Sequence, residues 1–108
     1  MTNWEGANLS GADMSAAILD ESGFNDATLI QTNFSKARLQ ECSFSCANLT
    51  DACVKEAVFG PPCLDGANLT GVDFSQALID SPGGINNPRI AGAVLCDTTL
   101  PDGGNWTL

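Results

Sequence analysis

A chain of 108 residues fits one domain, and at that length a globular core is hard to stabilise unless the core is repetitive. Apolar residues make up 44% but aromatics only 6%, with no Tyr or His, so the interior must come from small and medium aliphatic groups, and imidazole chemistry is excluded. Thirteen acidic residues against four basic ones, Lys36, Lys55, Arg38 and Arg89, give a formal charge of −9, which argues against direct binding to nucleic-acid phosphates or anionic lipid and favours a basic partner or simple solubility.

No apolar run approaches the roughly 18 residues of a membrane span, and Met1–Trp4 lacks the basic and apolar regions of a signal peptide. The chain as written is expected in the cytoplasm, with the periplasm or thylakoid lumen as the alternative if a leader once preceded it.

From the first residues onward a five-residue frame runs along the chain. Its centres are Trp4, Leu9, Met14, Leu19, Phe24, Leu29, Phe34, Leu39, Phe44, Leu49, Val54, Phe59, Leu64, Leu69, Phe74 and Ile79, all large and apolar. Two residues before each centre the occupant is usually Ala; Thr2, Ser22, Thr32, Cys42, Pro62 and Val72 fill the other sites, and only the last two are not small. A helix would advance the centres by about 140° per repeat and scatter them around every side. A short strand followed by a turn instead points the centre and the residue two before it to one interior, because strand side chains alternate.

A second period of twenty gives the number of sides. Leu9, Leu29, Leu49 and Leu69 form a column, as do Ala7, Ala27, Ala47 and Ala67, while Ser22, Cys42, Pro62 and Pro82 collect on another side. Four sides per coil follow. Coils stacked at the strand spacing predict a rod of about five coils, on the order of 24 Å long.

The residues that carry the pattern, Ala7-Asn-Leu-Ser-Gly11, Ala12-Asp-Met-Ser-Ala16, Ala47-Asn-Leu-Thr-Asp51 and Ala67-Asn-Leu-Thr-Gly71, resemble the pentapeptide-repeat family. The resemblance runs from residue 2 to 81 without a gap. It implies an all-β, right-handed, four-sided β-helix (a β-solenoid), and because the family is abundant in cyanobacteria it points to a bacterial, cyanobacterial origin.

Within one domain over 1–108, residues 2–81 are expected to form four regular coils, 82–89 a loop dense in turn formers, 90–102 a partial fifth coil with centres Ile90, Leu95 and Leu100, and 103–108 a C-terminal tail. Trp4 and Trp106 lie near the two ends and are expected to cap the open core. The alternative is that one end is a self-association surface.

Candidate chemistry is sparse. Five cysteines without a C-x-x-C pair or any His make no metal site, and no cofactor motif is present. Cys42 is expected to point inward and Cys46, Cys53, Cys63 and Cys96 outward. A disulfide is conceivable for Cys42 with Cys63, one coil and one residue apart, if Pro61-Pro62 distorts the corner. Asn-x-Ser/Thr triplets at Asn8, Asn33, Asn48, Asn68 and Asn105 mostly restate the repeat, where Asn is expected to bond turn backbone rather than carry glycan.

One outward column, Ile18, Arg38, Val58 and Leu78, is largely apolar where the repeat elsewhere favours Asn or Asp, and is the candidate interaction face. The competing reading is that the adjacent proline-rich loop covers it. With no nucleophile–base pair and no expected pocket, the chain is read as a non-catalytic structural or protein-interaction module, a monomer or weak homodimer that binds another protein if it binds at all. The alternative is a DNA mimic directed at a type II topoisomerase such as gyrase, which the resemblance allows; Glu21 stacks with Glu41, but Lys36 pairs with Glu56 and the other columns are interrupted.

Overall fold

The computed structural model describes residues 2–60, 62–79 and 89–100. Each side of each coil contributes a residue or two of parallel pairing, joined by a turn. On one side the pairing is long enough to form strands: β1 (Arg38–Leu39), β2 (Val58–Phe59) and β3 (Leu78–Ile79) make a parallel sheet in the order β1-β2-β3, with Arg38 opposite Val58 and Val58 opposite Leu78. Ile18 extends this side by pairing with Arg38. The other sides run Asn3, Gly23, Ser43, Cys63 and Arg89; Asn8, Thr28, Asn48, Asn68 and Val94; and Asp13, Asn33 and Cys53, with Asp73 and Thr99 continuing above. These are the four columns that the twenty-residue period requires, and the molecule is a four-sided β-helix.

The hydrogen bonds that hold the coils share one form. The centre amide donates to a carbonyl of the next coil, as Leu29 does to Asn48 at 2.7 Å, and the amide of Asn48 donates back to the Ala27 carbonyl at 2.9 Å. The residue before each centre therefore directs both its N–H and its C=O toward the preceding coil. Corners close by a turn in which the residue three after the centre donates to the centre carbonyl, as Ala12 does to Leu9.

That turn needs a left-handed residue two after the centre. Gly6, Gly11, Gly66, Gly71 and Gly92 supply it without strain, but Ala16, Glu21, Asp26, Gln31, Lys36, Glu41, Cys46, Asp51, Glu56 and Asp97 also adopt φ of 54–62°. The packed interior forces these corners. At Gln76 the corner differs: it lacks positive φ, and the Glu56 amide bonds the Gln76 carbonyl rather than that of Ser75. On the same side no bridge joins Cys53 to Asp73 among the described residues. Val72, one of the two bulky occupants of a small site, lies directly inside this gap.

Inside, Phe24, Leu29, Phe34, Leu39, Leu69, Ala37 and Ala57 are completely buried. Phe24 and Phe44 stack with centroids 5.0 Å apart, and Phe34 meets both edge-on. Inward polar groups are satisfied in a common way: Thr32 Oγ1 donates to the Leu9 carbonyl at 2.8 Å, Thr98 Oγ1 to Leu69 at 2.7 Å, and Cys42 Sγ to Leu19 at 2.9 Å.

The last described coil is offset by six residues relative to the others, since Arg89 pairs with Cys63 and Val94 with Asn68. Arg89, placed in the connecting loop by the sequence pattern, is in fact the outward residue of that coil. The rest of the loop and the tail, with Pro82 and Trp106, lie outside the described residues.

Candidate interaction face

The outer surface is built by two polar devices. Where Asn or Asp precedes the centre, its Oδ1 accepts the amide two residues on: Asn3 from Glu5, Asn8 from Ser10, Asp13 from Ser15, Asn33 from Ser35, Asn48 from Thr50, Asn68 from Thr70 and Asp73 from Ser75. The sequence anticipated this role for Asn. The two aspartates are held below the usual carboxylate range by the Ser15 and Ser75 hydroxyls first and by the same residues' amides second.

At three sites that hold another residue, the cap comes from the coil below. Asp20 Oδ1 accepts the Gln40 amide, Asn25 Oδ1 that of Ser45, and Asp65 Oδ1 that of Ala91. Asp20 and Asp65 also pair with Arg38 and Arg89, each at 2.6 Å. Asp20, adjacent in sequence to Glu21, thus has its charge paired with Arg38, and Lys36 pairs with Glu56 at 4.0 Å. The signal that could have found this device at Gln40 and Ser45 was the coincidence of a non-Asx residue with Asp or Asn one coil beneath the exposed amide, in columns already legible.

The candidate face is the side bearing β1, β2 and β3. Ile18 is 74% exposed and Leu78 58%, Val58 is half-buried, and Arg38 is exposed beside Asp20. The structure thus aligns all four predicted residues in one register. Elsewhere among the described residues only Val94 is comparably apolar and exposed.

The cysteine expectations divide. Cys46, Cys53 and Cys96 are exposed and Cys63 half-buried, as the frame predicted, but the conceivable Cys42–Cys63 bridge is not formed and both thiols are free. Cys42 points inward to the Leu19 carbonyl, with its thiol pushed up to about 11 by burial, whereas Cys63 points outward to the Ser45 hydroxyl at 3.1 Å. The alternation of strand side chains separates them, and the corner does not undo it. Trp4 is half-buried and stacks on Phe24 with centroids 6.3 Å apart. Among the described residues no group of His, Cys, Asp or Glu could hold a metal, and no helix is long and apolar enough to cross a membrane. A shallow groove of about 280 Å3 follows the loosened ladder, lined by Asp51, Cys53, Lys55, Asp73 and Gln76.

A column-stacked β-helix whose interior is filled by its own side chains belongs to the class of repeat scaffolds in which each coil contacts only its neighbours. The chain is a member of the pentapeptide repeat family, whose model matches in eight copies over residues 2–25 and 22–60. No curated protein matches it. Among solved structures it is similar to a pentapeptide repeat protein (Rfr23) from the cyanobacterium Cyanothece 51142, at 25% identity and TM-score 0.75, over 92% of this chain and 62% of that one. A pentapeptide repeat protein from the Arabidopsis thaliana thylakoid lumen matches at 26% identity and TM-score 0.41, over 82% of this chain and 61% of that one. HetL of Nostoc sp. strain PCC 7120, involved in heterocyst differentiation regulation, matches at 21% identity and TM-score 0.33, over 94% and 62%. The chain thus spans less than two thirds of the length of these structures.

Proposed function

We propose that the protein is a non-catalytic interaction module that binds another protein through the side carrying Ile18, Arg38, Val58 and Leu78. The observation that supports this most is the exposure of Ile18 and Leu78, 74% and 58%, on the side where β1, β2 and β3 pair in one register. Large apolar side chains held outward on a rigid, flat surface form a contact patch that needs no rearrangement on binding. The pairing of Asp20 and Asp65 with arginines weakens the duplex-like charge pattern that a topoisomerase-directed DNA mimic would need.

The test is affinity capture from extracts of the source cells with the wild type, with an Ile18→Asn/Leu78→Asn variant, and with Val94→Asn as a control on another side. A partner retained by the wild type and the control but lost with the double variant supports the reading. Identical captures with all three contradict it.

A further inference from the structure

The side carrying Ile18, Arg38, Val58 and Leu78 has an internal order beyond its exposure. Along the corner that opens this side the residues of the same four coils are Ala16, Lys36, Glu56 and Gln76. Lys36 and Glu56 have exposed side chains, 71% and 54%, and stand 4.0 Å apart on successive coils. Arg38 and Val58 are opposite each other in the ladder on those two coils. On the coils to either side stand Ile18 and Leu78, the two most exposed large apolar residues described. A cation and an anion on the inner pair of coils, with apolar groups on the outer pair, make a pattern that complements itself when the order of the coils is reversed.

We infer that this side is occupied by a second copy of the chain, packed face to face about a two-fold axis that runs along the strands between β1 and β2. The inference rests on the reading of this side as the binding face and names its partner. Such an axis keeps each column over the same column and inverts the order of the coils, so that one patch meets itself. Lys36 then lies opposite Glu56 of the second copy, and Glu56 opposite Lys36 of the second copy. With the pair already present in each chain, these make a ring of alternating charges. Ile18 lies over Leu78 of the second copy, and the Arg38 stem over Val58 of the second copy. Asp20, at the far edge of the side, stays paired with Arg38.

Charge selects this register over its neighbours. The axis placed over β1 sets Arg38 against Arg38 and Lys36 against Lys36, and placed over β2 it sets Glu56 against Glu56. An axis parallel to the stack and centred on the strand column again opposes Arg38 with Arg38; moved toward the middle of the side, it lays Ile18 over Asp20. A partner of different sequence would have to supply the same transposed pattern, which this chain already carries. The match uses outward residues of four successive coils and neither end of the stack. Four coils at strand spacing make a small patch, below the roughly 800 Å2 per partner of a standard interface, so the association is weak and reversible.

Sedimentation equilibrium of the purified full chain, over a series reaching about 1 mM, reads the association. Lys36→Glu alone and Glu56→Lys alone each set like charges opposite each other twice and raise the dissociation constant about tenfold. Mixed in equal amounts, the two variants form a heterodimer in which every opposed pair is attractive, with a constant near that of the wild type. Lys55→Glu, the same change of charge on the adjoining side, leaves the constant unaltered. A wild type that stays monomeric throughout the series overturns the inference, as do mixed variants that associate no better than each does alone, or a Lys55→Glu variant weakened as much as Lys36→Glu. A monomeric wild type that still captures a protein from extracts through Ile18 and Leu78 removes only the second copy as occupant; if that capture also fails, the binding face itself is refuted.

Discussion

Phe44→Ala is the substitution whose cost can be worked out most fully. The ring is 1% exposed, stacks on Phe24 at 5.0 Å, and meets Phe34 and Phe59 edge-on at 6.1 and 6.2 Å. Truncating a buried Phe costs about 3–5 kcal/mol through lost transfer energy and the cavity left behind. Two features place Phe44 toward the upper end. Its ring already borders an apolar void of about 10 Å3 shared with Phe34, Leu49, Val54, Phe59, Leu64, Val72 and Phe74, so the new cavity merges with an existing one. The ladder of bonds on either side also prevents the coils from collapsing inward, because their separation is fixed by strand spacing. Against a total stability of about 5–15 kcal/mol, the loss is a large fraction. Urea unfolding followed by circular dichroism measures it, with Leu95→Ala in the half-buried last coil as the comparison. A loss at Phe44 below about 1.5 kcal/mol, or no larger than that at Leu95, would mean that the interior relaxes freely and the rigid-stack reasoning fails.

Thr32→Val removes the hydroxyl that bonds the Leu9 carbonyl, which keeps its bond from Ala12, and is expected to cost about 0.5–1.5 kcal/mol in the same assay. Gln31→Gly relieves a corner held at φ 58° and is expected to stabilise by about 0.5–1 kcal/mol; a destabilised variant would show that the corner is not strained. Asp13 and Asp73 have folded-state pKa values below the ordinary 3.8, so the stability they contribute is present above that value and is lost as pH falls through their depressed values. Asp13→Asn/Asp73→Asn keeps the caps without the charge, and unfolding curves collected from neutral to acid pH should show a shallower acid slope. Native-state alkylation should label Cys46, Cys53 and Cys96, whereas Cys42, buried with its thiol near 11, reacts only on unfolding. Fast labelling of Cys42, or an intact mass showing a disulfide, would contradict its placement.

The architecture was legible because it repeats. A five-residue frame fixes which side chains face inward, and a twenty-residue period fixes which stand above one another, so Ile18, Arg38, Val58 and Leu78 could be aligned before any coordinate was known. Features that depend on neighbouring coils rather than on the frame were not legible. Glu21, Lys36 and Gln31 hold left-handed corners that their residue types disfavour, since closure of the packed coil outweighs a local cost of about 1–2 kcal/mol. Asp20 and Asp65 look like free surface charge in sequence, yet each caps an amide and holds an arginine across two coils. The looseness between Cys53 and Asp73 has a sequence correlate only in hindsight, in Val72 occupying a site that elsewhere suits Ala or Thr. The Cys42–Cys63 expectation assumed that paired prolines would bend the corner, whereas Pro62 is accommodated as a buried small-site residue.

The stacking of residues twenty apart is tested most directly by scalar couplings across hydrogen bonds in solution NMR. The fold predicts couplings from the Leu29 amide to the Asn48 carbonyl, from Leu49 to Asn68, and back from Asn48 to Ala27. Their absence, or couplings that instead join residues four apart, would contradict it.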